Sequence, residues 1–241
     1  MEALSVDSIR VGREWRYEPK WDGFRAIVLR DGGKAELQSK SGRSMSRYFP
    51  ELTAALGELK AKNFVLDGEI VVPVDGVFSF DALLQRIHPA ASRINKLASE
   101  TPALLILFDL LGEPSGKLLT CRSLDERRRA LELFYQKYCR ASTAIRLSPS
   151  SIRLGEAKAW LRRTGATLDG VIAKRRDFTY RSGDRSGMRK IKNLRSADCV
   201  VGGFRYNAGS PLVVTTAKAN STMSVLPRRS SAKRNRRSPK D

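Results

Sequence analysis

Short strand signals joined by tight turns constrain this chain more than any other feature. Phe24 to Leu29 (FRAIVL) reads as a strand, Asp31-Gly32-Gly33 as a turn, and Lys34 to Ser39 as the returning strand. Phe64 to Val72 is a β-branched run broken by Asp67-Gly68, which predicts a bulge that re-aims a side chain. Ala103 to Leu111 reads as a buried strand, and further strands are expected at Gly170 to Lys174, Arg189 to Lys192 and Cys199 to Phe204. Helices are expected over Phe49 to Lys60, Ser79 to Ile87 and Glu156 to Arg163. Ser123-Leu124-Asp125-Glu126 is a capping box that opens another, running to about Tyr138. Short connections favour a mixed, largely antiparallel α+β architecture over a doubly wound one.

Composition narrows the chemistry. The 241 residues suffice for one large domain or two small ones. Lys and Arg number 45 against 25 Asp and Glu, a formal charge of +20, which points to a polyanionic partner, nucleic acid first. Apolar runs such as Ala103 to Leu107 are far too short to span a bilayer. Met1 to Arg13 has no apolar stretch of signal-peptide length, so a cytoplasmic protein is expected. Cys121, Cys139 and Cys199 form no CxxC pair, which disfavours a disulfide scaffold or a zinc ribbon. The lone histidine, His88, excludes a multi-histidine metal site and leaves little room for Ser-His or Cys-His nucleophiles. Chemistry here must run on Lys, Arg, Asp and Glu.

The stretch Glu18-Pro19-Lys20-Trp21-Asp22-Gly23-Phe24-Arg25 places a lysine just before a strand, between an acid and an arginine. A nucleophilic lysine needs such a setting, because its amine must be neutral to attack. Taken alone, Lys20 reads more readily as a solvated loop residue beside a DG turn. Other charged elements follow in order: Ser39-Lys40-Ser41-Gly42-Arg43, Leu66-Asp67-Gly68-Glu69, Phe108-Asp109 at the end of a strand, Asp169-Gly170-Val171-Ile172-Ala173-Lys174, and Arg189-Lys190-Ile191-Lys192. Lys190 and Lys192 share one strand face. Gly112-Glu113-Pro114-Ser115-Gly116-Lys117 looks like a phosphate-binding loop, but it is followed by Leu118 and contains a proline, so a surface turn is expected.

KxDGxR, SKSGR, DGE, FDLL, DGVIAK and KxK in this order resemble the covalent nucleotidyltransferase superfamily. The closest resemblance is to the adenylation domain of bacterial ATP-dependent DNA ligases of the end-joining type, over about Tyr17 to Tyr206. It implies an ATP-grasp-like nucleotidyltransferase domain of largely antiparallel sheets flanked by helices. It implies that Lys20 attacks the ATP α-phosphate to form lysyl-AMP, for transfer to a 5′-phosphate at a DNA nick or break. By position, Glu18 matches the adenine contact, Arg25 and Arg43 the ribose and terminal phosphates, and Phe108 the ring that stacks on adenine. Glu69 matches a carboxylate on ribose or metal, Asp169 a metal-binding acid that is usually Glu, and Lys174, Lys190 and Lys192 the lysines that grip phosphate. The implied cofactors are ATP and Mg²⁺ or Mn²⁺; the implied partners are nicked or broken double-stranded DNA and end-joining proteins. The implied setting is DNA repair and recombination by a nucleoid-associated monomer with no membrane role.

The expected division is an adenylation domain over 1–201, the first strand of an OB-fold over 202–206, and a disordered basic C-terminal tail over 207–241. An OB-fold needs roughly fifty residues, so most of one is expected to be absent and full nick sealing impaired. Two alternatives stay open: an RNA ligase or capping-type nucleotidyltransferase, and a non-catalytic basic DNA-binding remnant.

Overall fold

Strands form where side chains can alternate between an apolar and a polar face, and β2 shows how this chain uses that rule. The computed structural model describes residues 1–163, 168–192, 200–207 and 210–216. In chain order the elements are β1 (Leu4–Ser5), β2 (Trp15–Trp21), β3 (Phe24–Asp31), β4 (Lys34–Ser39), α1 (Pro50–Glu58), β5 (Asn63–Val71), β6 (Pro73–Val74), β7 (Val77–Phe78), α2 (Phe80–Gln85), α3 (Ala91–Glu100), β8 (Leu104–Gly112), α4 (Leu124–Phe134), β9 (Ile145–Leu147), α5 (Leu154–Arg162), β10 (Leu168–Arg175), β11 (Met188–Ile191), β12 (Val200–Asn207) and β13 (Ser210–Thr216). The chain divides into two units, Met1–Asn193 and Leu194–Asp241.

The first unit holds two main sheets. One runs β4-β3-β5-β8-β9, antiparallel except for β8 with β9; the other runs β1-β11-β10-β2, antiparallel except for β1 with β11. The five-stranded sheet carries the larger core, in which Val28, Leu37, Leu66 and Leu105 are fully buried together with Leu52 and Leu56 of α1. In the four-stranded sheet, Trp15 and Tyr17 of β2 and Val171 and Ala173 of β10 pack with Ala157 and Trp160 of α5. Alternation then turns Arg16, Glu18 and Lys20 to the opposite face, with Ile172 and Lys174 of β10. The α+β architecture with antiparallel-rich sheets and flanking helices is the one expected.

Several local expectations need correction. Lys20 lies inside β2 rather than just before a strand, because Pro19 and the charged residues weaken the β2 pattern. Phe108 does not end its strand, since β8 continues to Gly112. The bulge expected at Asp67-Gly68 is present, but its extra residue is on the partner strand: Asp67 pairs with Asp109 and Gly68 with Leu107, so Phe108 is skipped. The capping box at Ser123 forms with both reciprocal bonds, yet the α-helix stops at Phe134 and becomes a π-turn over Tyr135–Cys139. Helix α3 was missed altogether, an amphipathic segment with one buried residue, Ile94. After Gly112, which is buried at the end of β8, the segment to Lys117 is a surface turn closed by Gly116 donating to Glu113, as expected.

In the second unit, β12 and β13 form an antiparallel hairpin with Asn207 paired to Ser210. A strand over Ser210–Thr216 departs from the tail expected from 207 onward. The run Leu212-Val213-Val214-Thr215-Thr216 carries the β-branched content that explains it. Cys199 and residues 217–241, the rest of the expected tail, lie outside the described residues. Among the described residues no helix is long and apolar enough to cross a membrane.

Candidate active site

The polar faces of the two sheets in the first unit enclose a cavity of about 290 Å³. From the four-stranded sheet it is lined by Glu18, Lys20, Lys174 and Lys190, and from the five-stranded sheet by Arg25, Glu69 and Phe108. These residues span most of the chain, and strand register brings them together. Ile172 opposes both Glu18 and Lys190, and Arg25 opposes Glu69. Facing pairs share a sheet face, so each pairing fixes two side chains towards the same space.

Lys20, next to last in β2, places its Nζ 2.5 Å from Asp169 Oδ2, and Lys192 Nζ lies 2.7 Å from the same oxygen. Asp169 reaches them because β10 carries its own skip. Leu168 pairs with Trp21 and Gly170 with Lys20, leaving Asp169 as the extra residue. Gly170 has φ of 151°, and a Cβ there would meet the Ile191 carbonyl at 2.0 Å, so only glycine fits. Burial alone would raise the Asp169 carboxyl, but bonding and charge from Lys192 and Lys20 outweigh it and hold the pKa below its usual range. Lys190 is pushed below its ordinary value by burial, helped by the charges of Lys192 and Lys20.

Glu18 is 2% exposed and receives a 2.6 Å bond from Lys174 at Oε2, while its Oε1 is buried with no hydrogen-bond partner. The Lys174 ammonium also sits 4.7 Å from the centre of the Phe108 ring. Phe108 faces the cavity by ordinary alternation with core residues Leu105 and Leu107, and the skip in β8 keeps Asp109 on the same face before the core pattern resumes at Leu110. Glu69 keeps part of its surface open to the cavity, yet the surrounding protein desolvates it. Burial pushes its carboxyl up to about 7 against the opposing charges of Lys20 and Arg25.

Arg25 is held by neighbours the sequence reading did not single out. Its Nε donates to Asp67 Oδ1 at 3.0 Å and its Nη2 reaches Asp67 Oδ2 at 2.5 Å. The Tyr180 hydroxyl donates to the same Oδ2 at 2.9 Å. Burial works against the Arg25 charge, but Asp67 outweighs it and the pKa is raised. Burial likewise raises the Tyr180 phenol. Asp67 stands in the quoted DGE motif and could have been found there; Tyr180 sits in a loop with no distinguishing pattern. Behind this group Arg127 grips Asp109 through two bonds of 2.9 and 3.0 Å, with the arginine fully buried.

Most of the expected residues therefore meet at one place: Lys20, Glu18, Arg25, Glu69, Phe108, Lys174 and Lys190 line the cavity, and Lys192 and Asp169 adjoin it through Lys20. Arg43 does not. It is exposed on the turn after β4, and Lys40 of the same turn lines the cavity instead. Trp21 also lines the cavity, its indole donating to Ser148 and its ring edge-on to Phe78. His88 accepts from the Ala90 amide, a structural contact.

Comparison with known proteins decides the family. The model of the ATP dependent DNA ligase domain matches residues 2–192. The chain belongs to the ATP-dependent DNA ligase domain family. It is 47% identical over 208 residues to DNA ligase C2 of Mycolicibacterium smegmatis, covering 86% of this chain and 57% of that ligase. It is 34% identical over 199 residues to the multifunctional non-homologous end joining protein LigD of Mycobacterium bovis, covering 81% of this chain and 24% of that protein. Among solved structures, a mycobacterial DNA ligase D complexed with ATP and MES superimposes with a TM-score of 0.63 at 26% identity, covering 88% of this chain and 67% of that one. The chain thus spans little more than half of the ligase C2 length. The residues matched by the family model include every strand that lines the cavity.

Proposed function

We propose that this ligase-family domain adenylates itself on Lys20, using ATP, and that the AMP is then passed to a 5′-phosphate at a nick or break in double-stranded DNA. The observation that carries the reading is the company Lys20 keeps. A lysine, an unpartnered buried carboxylate oxygen on Glu18 and an aromatic ring, Phe108, share one cavity with several cations.

In this reading the Lys20 amine gives up its proton and attacks the α-phosphorus. The new N–P bond forms as the bond to the bridging oxygen of the β-phosphate breaks, and pyrophosphate leaves. Glu18 Oε1 has an unmet capacity to accept, which suits an exocyclic amine of adenine, and Phe108 offers a stacking face. Lys174 and Lys190 supply cationic donors for the non-bridging oxygens, and Arg25, fixed by Asp67, supplies a fork for the ribose or phosphates. Lys192 joins them once it leaves Asp169. The exposed Arg43 stands outside this set unless its turn closes over the cavity.

A divalent cation fits the donor chemistry. Glu69 is a desolvated carboxyl whose proton a cation would displace, and Asp169 is freed when its lysines turn to phosphate. Among the described residues no group of three or more His, Cys, Asp or Glu could hold a metal. Mg²⁺ keeps several waters and binds one or two carboxylates together with phosphates, so Glu69 and Asp169 would hold it, or Mn²⁺, beside the nucleotide. When bound, the ion would neutralise charge on the departing pyrophosphate.

The net charge of +20 supports a DNA partner, and the end-joining relative supports a repair setting. The test is covalent labelling with α-labelled ATP and Mg²⁺ on a denaturing gel. The expected result is an acid-labile label on the parent chain, none on Lys20→Ala, and none with EDTA. Label on a different residue, or equal labelling of Lys20→Ala, would overturn the proposal.

A further inference from the structure

The start of the segment Met1–Val6 lies along the cavity and occupies two of its cations, Arg25 and Lys40. Met1, Glu2 and Ala3 line the same space as Lys20. The Met1 carbonyl accepts from Arg25 Nη1, the guanidinium that Asp67 holds from the other side. Glu2 places one carboxylate oxygen 2.8 Å from Lys40 Nζ and the other 2.8 Å from Arg185 Nη2. These two cations hold the Glu2 carboxyl at about 2, well below its ordinary value. A carboxylate between a lysine and an arginine fork has the charge and planar oxygens with which a phosphoryl group would compete.

The segment is also lightly held. Its strand, β1, is two residues long and pairs only with the edge of β11, as Leu4 with Arg189 and Ser5 with Lys190. Two further backbone bonds, from the Glu2 amide to Asp184 and from the Val6 amide to Lys190, add to the ladder; Met1 is buried, while Leu4 is 46% exposed. A two-residue ladder with one buried apolar side chain, Met1, opens at lower cost than the long ladders of the core. Lys40 and Arg185 are themselves 63% and 66% exposed, so an anion can reach them as the carboxylate leaves.

We propose that Glu2 is an internal latch: its carboxylate holds the start of Met1–Val6 along the cavity through Lys40 and Arg185 until a phosphoryl group displaces it. The phosphoryl group has two sources, the triphosphate of ATP or the 5′-phosphate of a DNA end. The ATP source rests on the self-adenylation reading; the DNA source does not.

The test compares the full chain with Glu2→Gln, which keeps the side-chain shape and removes its charge. ATP is titrated in the labelling assay, and nicked duplexes with and without a 5′-phosphate are titrated by fluorescence anisotropy. If the triphosphate displaces the latch, Glu2→Gln lowers the ATP concentration for half-maximal labelling about three- to tenfold, at an unchanged maximal rate. If the end phosphate displaces it, the phosphorylated duplex binds tighter by the same factor and the unphosphorylated one does not. Equal tightening of both duplexes, with no change in the ATP arm, means a general charge effect and overturns the latch, as does no change in either arm. Absence of label on the parent defeats the adenylation reading instead, and the duplex arm still decides the latch.

Discussion

Two acid–cation clusters in the first unit use the same charges for opposite ends. Asp109 with Arg127 is a sealed pair: the arginine is fully buried, the carboxylate is 4% exposed, and two parallel bonds join them. Asp169 with Lys20 and Lys192 is an open cluster, with one oxygen shared by two ammonium groups that are 20% and 38% exposed. The arginine fork spends its donors on one fixed partner. The lysines are point charges on flexible stems and can exchange a carboxylate for a phosphate without rebuilding the wall. The sealed pair holds the ends of β8 and α4 together, and the open one waits for a ligand.

The comparison breaks most easily at the sealed pair. Arg127→Met leaves Asp109 buried without its partner and is expected to cost about 3–5 kcal/mol in urea unfolding. Lys20→Ala is expected to shift stability by no more than about 1 kcal/mol while abolishing label. A Lys20→Ala variant as unstable as Arg127→Met would erase the distinction.

Gly170→Ala is the next largest. Its Cβ has no room beside the Ile191 carbonyl, so the β10 skip must shift and carry Asp169 with it. Labelling should fall more than tenfold, with a stability loss of about 1–3 kcal/mol. Asp169→Asn keeps the backbone and removes only the charge. Slower labelling, by about tenfold, with nearly unchanged urea unfolding, is expected.

A pH dependence is expected at Glu69. Its folded pKa of about 7 lies above the ordinary 4.5. Between those values the unfolded chain releases a proton that the folded chain keeps, so this residue makes stability fall as pH rises from 4.5 to about 7. The loss is complete above that window and absent below it. Glu69→Gln should flatten this part of the profile, read as the urea midpoint at pH 5 and pH 7.5. An unchanged slope would show that Glu69 is well solvated.

The sequence exposed the order of the motifs and the strand-and-turn architecture, because short β-branched runs and Gly-containing turns are local signals. It located most of the cavity wall for the same reason, since each motif lies on or beside a strand. It hid whatever depends on partners far along the chain. β2 was masked by Pro19 and its charges, and Tyr180 became visible only where its hydroxyl meets Asp67. Glu2 gave no sign in a segment without periodicity, yet it meets Lys40 and Arg185. Arg43 and Lys40 occupy one turn, and which of them reaches the cavity was decided by geometry that motif spacing does not encode.

The skips in β8 and β10 divide labour between scaffold and chemistry. Phe108 and Asp169 are supernumerary: the ladders on either side of each would close if the residue were removed, Gly68–Leu107 running straight on to Asp67–Asp109, and Leu168–Trp21 to Gly170–Lys20. The aromatic ring and the shared carboxylate are therefore fittings mounted on a frame that does not depend on them. A lineage could exchange either one for a different base or anion while inheriting every buried leucine unchanged.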